Sequence, residues 1–166
     1  MANRASKDSI LEIINTTKKE HKTTSLDVDK LFDKTIEAPH YLKNKTTTDL
    51  FTDVREALQE ISHLDTSTVE TYTQKLKGFV PIDDINTLIP MRYLRWTYRY
   101  NEEDTRLKSG IFLKMIMRNN GINLQLKTIH KQLSFYEIKL DECLIFMKLS
   151  EQENLMVIAQ DLEQES

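Results

Sequence analysis

One cysteine, Cys143, stands in a chain of 166 residues. It cannot form an internal disulfide, and a lone thiol suits a reducing cytosolic or nuclear compartment. Glycine and proline are also scarce, three of each. That excludes a collagen-like repeat, a long flexible linker and a Gly/Pro-rich disordered region, and it leaves no glycine-rich loop to cradle a phosphate. No apolar run approaches the roughly 20 residues of a membrane span, so no membrane partner is expected. The opening residues turn polar at once, through Asn3, Arg4, Ser6 and Lys7. No secretory signal is therefore expected, and the glycosylation triplets at Asn15 and Asn44 read as coincidence. What is present is the composition of one globular domain with a modest core, 39% hydrophobic and 30% charged.

The formal net charge of −3 conceals a segregation. Residues 1–90 carry 12 Lys and Arg against 15 Asp and Glu, residues 91–139 carry 10 against 4, and residues 140–166 carry 1 against 7. A basic middle suggests an anionic partner, and an adjacent acidic tail can compete for it.

Hydrophobic periodicity divides the chain into residues 1–78 (helical region), 79–90 (packed connector), 91–149 (small β-barrel) and 150–166 (C-terminal helix and acidic tail). Four helices are expected in the first part. Ser6 or Ser9 caps the first, with Ile10, Ile13 and Ile14 on its face. Ser25 caps the second, with Val28, Leu31, Phe32 and Ile36, and Pro39 ends it. Thr48 caps the third, which runs through Leu64, and Ser67 with Glu70 forms a capping box for the fourth. The connector holds Pro81 and Pro90 but is too apolar for a solvated linker. From Met91 the period becomes two: Leu94, Trp96 and Tyr98 alternate with Tyr93, Arg95, Thr97 and Arg99. Residues 106–118 form a second strand with Gly110 as a bulge or bend, and Asn120-Gly121 predicts a hairpin turn with positive φ at both positions. Residues 122–127, 133–140 and 143–149 complete five strands. The expected fold class is α+β: an N-terminal helical bundle, a small five-stranded antiparallel SH3-like or OB-like barrel, and a C-terminal amphipathic helix. That helix carries Leu155, Ile158, Ala159 and Leu162 at helical spacing behind a Ser150–Glu153 capping box. Leu155, Ile158 and Leu162 are its candidate partner-binding residues, for another protein or a second copy of the chain.

Catalytic and metal motifs are missing. His21, His40, His63 and His130 have no second ligand at a recognised spacing, so no metal and no cofactor are expected. Cys143 opens an apolar strand and reads as a buried structural thiol rather than a nucleophile. Asp83-Asp84 and Glu102-Glu103-Asp104 read as solvated turns before they read as cation sites. The one concentrated constellation is residues 90–100, which hold the only Trp, three of the six Tyr and three Arg. If Leu94, Trp96 and Tyr98 face the core, then Tyr93, Arg95 and Arg99 point outward, with Lys114, Arg118 and Lys127 on neighbouring strands. Such a stripe can neutralise phosphates while Tyr93 stacks on a base of DNA or RNA. The plainer reading is a solvated outer face whose Arg stems cover aromatics.

Ile89-Pro90, then Tyr93-Leu94-Arg95-Trp96, then residues 106–113 (RLKSGIFL), then Leu144-Ile145-Phe146, make residues 88–149 resemble the C-terminal β-module of small uncharacterised proteins of nucleocytoplasmic large DNA viruses. This chain has Arg92 near where the family pattern has a Gly, and Ser109-Gly110 in place of its double Gly. The resemblance brings no catalytic residues with it. It implies a viral origin and a virion-associated or accessory role, in the cytoplasm or nucleus of an infected cell or in the virion. Together these readings lead to a non-enzymatic structural or protein-interaction protein, a minor virion component whose partners are other virion proteins. The alternative is a nucleic-acid-binding protein acting through the basic face.

Overall fold

A computed structural model describes residues 38–129 and 132–166. The two helices expected before residue 38 lie outside them, as do His21 and His130. The described residues form an α+β fold with three α-helices and one six-stranded antiparallel sheet. They fall into two compact units, residues 47–151 and residues 38–46 with 152–166.

In the larger unit, α1 (Thr47–Gln59) and α2 (Thr66–Lys75) precede the sheet. The third expected helix stops at Gln59 rather than Leu64, and a turn carries the buried Ile61 onward. The cap of α2 is Asp65, not Ser67: its carboxylate accepts the Thr68 N–H at 2.6 Å. Gly78, past the end of α2, takes φ 78°, a left-handed value that glycine adopts without steric cost.

The strands are β1 (Phe79–Pro81), β2 (Tyr93–Tyr98), β3 (Lys108–Arg118), β4 (Gly121–Lys127), β5 (Phe135–Lys139) and β6 (Cys143–Lys148), in the order β1-β6-β2-β3-β4-β5. Two expectations are corrected here. The described residues hold six strands, because the apolar start of the connector pairs as a short edge strand on β6 with Pro81 at its end, where a missing N–H is tolerated. The sheet is also open rather than a closed barrel: β1 and β5 are its edges, and no ladder joins them.

Register assigns the faces. Tyr93, Arg95 and Thr97 lie on the same face as Leu144 and Phe146, while Leu94, Trp96 and Tyr98 lie with Cys143, Ile145 and Met147. Helices α1 and α2 cover the first face. Val54, Leu58, Ile61, Val69 and Leu76 pack with Phe79, Leu144 and Phe146 in one buried cluster. The second face is concave. On a flat sheet, β2 and β5 would stand about 14 Å apart, yet the rings of Trp96 and Tyr136 approach to 5.8 Å between centroids. The inner face is therefore curled around its own side chains, and Trp96 is 1% exposed.

The expected turn at Asn120-Gly121 is shifted by one residue. Arg118 pairs with Gly121 across Asn119-Asn120, and the positive φ falls on Gly121 alone, at 121°. Upstream, the register of β3 against β4 slips between Phe112 and Lys114, so Leu113 has no partner on β4. This bulge moves Lys114 off the concave face and onto the face of Gln125.

In the smaller unit, a 3₁₀ turn at His40–Leu42 follows Pro39, and Leu42 is fully buried. The helix α3 (Glu151–Gln164) buries Glu153 and Val157, and Glu153 accepts the Tyr41 hydroxyl.

Gly110 is fixed by packing. The Tyr136 hydroxyl passes over it to donate to the Ser109 carbonyl at 2.9 Å, and a Cβ on Gly110 would collide with that hydroxyl and sit 3.2 Å from the Lys127 carbonyl. Burial pushes the phenol up to about 12, so it remains a donor. Gly110→Ala is expected to destabilise the protein by about 1–3 kcal/mol in urea unfolding. In the double variant with Tyr136→Phe, the two losses should sum to less than the separate effects, because the colliding oxygen is gone.

Candidate interaction surface

Five residues of the basic stripe, Tyr93, Arg95, Lys114, Arg118 and Lys127, share one face of the sheet, and Arg99 follows just past the end of β2; the two halves of that face differ. On β2 it lies beneath the helices. Tyr93 is half-buried, its ring 5.9 Å from Phe79, with the Lys148 ammonium 6.0 Å from its centre. Arg95 donates from Nη1 to the carbonyl of Lys75, the last residue of α2, at 3.3 Å. A cation there answers a carbonyl that the helix leaves unpaired and suits the negative end of its dipole. Arg99 donates from Nε to the Cys143 carbonyl at 3.2 Å, and its Nη1 lies 3.9 Å from the Glu60 carboxylate. These three side chains hold the helices and strands together and are not arrayed on an open surface.

The other half of the face is solvated. Arg118 reaches across β4 to clamp Glu137 on β5, with Nη2 at 2.6 Å and Nε at 3.3 Å, while Asn123 donates to the same carboxylate at 3.0 Å. The Arg118 hydrogen bond, then that of Asn123, holds the Glu137 carboxyl below its ordinary value, with Lys114 adding to the effect. Lys114 is exposed and Lys127 half-buried, and neither has an ion-pair partner among the described residues.

Beyond Phe112 lies a surface that sequence reasoning missed. Phe112 is the last residue of β3 tied to the β2 side: its N–H donates to Arg92 and its carbonyl accepts from Met91. Among the described residues, 113–118 have β4 on one side and no strand on the other. Met115 and Met117 project from this arm on the concave face, 44% and 76% exposed. The available signal was length. The second apolar run is about twice as long as the first, so its far half has nothing to pair with.

A cavity of about 520 Å³ opens on the concave side. Ile82, Ile122, Cys143 and Ile145 form its floor, and Asp83, Asp84, Asp141 and Arg99 stand around it. Asp84 is tied to Asn86 at 2.8 and 2.9 Å. Among the described residues, no cluster of His, Cys, Asp and Glu could hold a metal ion. Asp104 is clamped by Arg106 and by Lys108, at 2.9 and 2.6 Å, which holds it well below the usual carboxylate range. Burial, helped by Glu142, pushes the Cys143 thiol up to about 12. On α3, Leu155 and Leu162 are half-buried and Ile158 is exposed. No described helix is long and apolar enough to cross a membrane.

No protein-family profile matches the chain, and neither a curated protein nor a solved structure is significantly similar to it.

Two measurements follow from these environments. Cys143 should resist a thiol-specific disulfide reagent at pH 8 in the native protein and react fully in denaturant, because the nucleophile is the thiolate. Asp104 and Glu137 both have carboxyls lowered in the folded state. Each therefore contributes stability above its unfolded value, near pH 4, and loses it as the pH falls further. The urea midpoint should fall below pH 4 in the wild type and fall less in the Asp104→Asn/Glu137→Gln variant. Molar salt should narrow the difference, since Arg106 and Arg118, which pair with these carboxylates, are exposed to solvent.

Proposed function

We propose that the chain is a non-enzymatic protein-interaction module. The observation that supports this is the β3–β4 arm, where two exposed methionines stand beside an unpaired strand edge. The exposed Ile158, with Leu155 and Leu162 on either side of it along α3, supports a second contact. The sequence resemblance extends the proposal to a minor virion-associated component of a large DNA virus, acting in the infected cell or in the particle. Met91 is consistent with it: this residue, beside Arg92, has φ 69°, a conformation that favours the glycine of the family pattern.

The nucleic-acid alternative retains Lys114 and Lys127 as unpaired cations, while Tyr93, Arg95 and Arg99 are engaged under the helices and Arg118 by Glu137. The test is fluorescence anisotropy with labelled single- and double-stranded DNA and RNA at low and moderate salt. No saturable binding is expected. Arg95→Glu should instead lower stability by about 1–3 kcal/mol, through a carbonyl left unpaired and a carboxylate placed at a helix C-terminus. Tight binding that falls steeply with salt and is lost in Lys114→Glu/Lys127→Glu would replace the interaction reading with the nucleic-acid one. In the native cell, a photo-crosslinker at Met117 should capture a discrete protein that the same probe at Thr71 on α2 does not.

A further inference from the structure

We propose that the open edge of β3 beyond Phe112 binds an extended acidic segment of a partner protein as an added strand. The proposal rests on the interaction reading and names the chemistry of its partner.

The backbone supplies the first part of the argument. Phe112 turns both its N–H and its carbonyl toward Met91 and Arg92. Its opposite residue, Leu126, is therefore a non-hydrogen-bonded partner, and Gln125 and Asn123 turn toward β3. Met115 and Met117, opposite Leu124 and Ile122, then direct their N–H and carbonyl groups to the open side. The bulge at Leu113 does not disturb this, because the alternation is carried by the regular strand β4. Two donors and two acceptors in register, over six residues spanning about 20 Å, form a template for one more strand.

The side chains select the occupant. On the concave face the added strand would meet Met115 and Met117, soft apolar surfaces that adapt to varied partners. On the other face it would meet Lys114, an exposed cation with no ion-pair partner among the described residues, while Arg118 is turned inland, its guanidinium held by Glu137 on β5. A segment alternating apolar residues with carboxylates complements both faces. A second copy of the chain does not: antiparallel β3 edges that join Met115 to Met117 set Lys114 opposite Arg118, so the partner edge offers Lys114 no carboxylate, Glu137 lying inland on β5.

The probe is a blocked, labelled peptide of three glutamate–valine repeats, with a lysine–valine peptide of equal length as control. It is titrated into the full chain by fluorescence anisotropy, with backbone amide exchange followed by NMR. The acidic peptide is expected to bind, to slow exchange at Met115 and Met117 by about tenfold or more, and to lose about tenfold in affinity in Lys114→Glu. Met117→Pro removes one outward donor without touching the β3–β4 ladder and should abolish the protection. Lys114→Glu changes a solvated side chain only, so it tests the idea even if the proline variant folds poorly. Equal binding of the basic peptide, protection away from Met115 and Met117, or no binding at millimolar peptide would overturn strand addition. So would protection of those amides by self-association, seen as a concentration-dependent dimer in light scattering. A crosslink from Met117 that persists when the peptide fails would retain the interaction reading and reject this mode of it.

Discussion

Five consecutive residues of β6, from Cys143 to Met147, are withdrawn from water on both faces of the sheet. Leu144 and Phe146 lie beneath α1 and α2, and Cys143, Ile145 and Met147 line the concave side. The strand is central in a second sense, since β1 and β2 both hydrogen-bond to it. Burying a large apolar side chain is worth about 1.5–3 kcal/mol, so this strand concentrates much of the favourable free energy of the larger unit. The arrangement also explains why the cysteine is inert: its thiol lies where ionisation is heavily penalised.

Double burial sets the role of the arginines. Helices that cover one face of β6 must also cover the neighbouring face of β2, and that face carries Tyr93, Arg95 and Arg99. The charged ends of the two arginines find carbonyls at a helix terminus and on an adjacent strand. The same residue types that read as a phosphate-binding stripe thereby become connectors between layers. On the β3–β5 side, where the helices end, Lys114 remains an accessible charge.

Much of this was legible in the residues. Alternation from Leu94 to Tyr98 assigned each side chain to its face, and the spacing of Leu50, Val54 and Leu58 marked the buried side of α1. Periodicity states which residues share a face, however, and not what covers it, so the fate of Arg95 could not be read from its neighbours in sequence. The edge strand Phe79–Pro81 was hidden by its proline, Pro81, which is tolerated because the strand pairs on one side. Asp65 outcompeted Ser67 as the cap of α2, although both residue types suit the position. The free edge of β3 depends on a mismatch of strand lengths, which becomes visible only once the partner of each strand is known.

Leu113 has one more consequence. Because this residue has no partner on β4, the chain could lose it and every pair between Lys114 and the hairpin turn would survive. What would change is direction, since an extra residue on one strand bends it and tightens the local twist. A single-residue change in length at this point would re-aim the arm and leave its chemistry alone, whereas substitutions at Lys114, Met115 or Met117 would do the reverse. Orientation and surface composition are thus independent variables in this hairpin, open to separate adjustment by deletion and by point mutation.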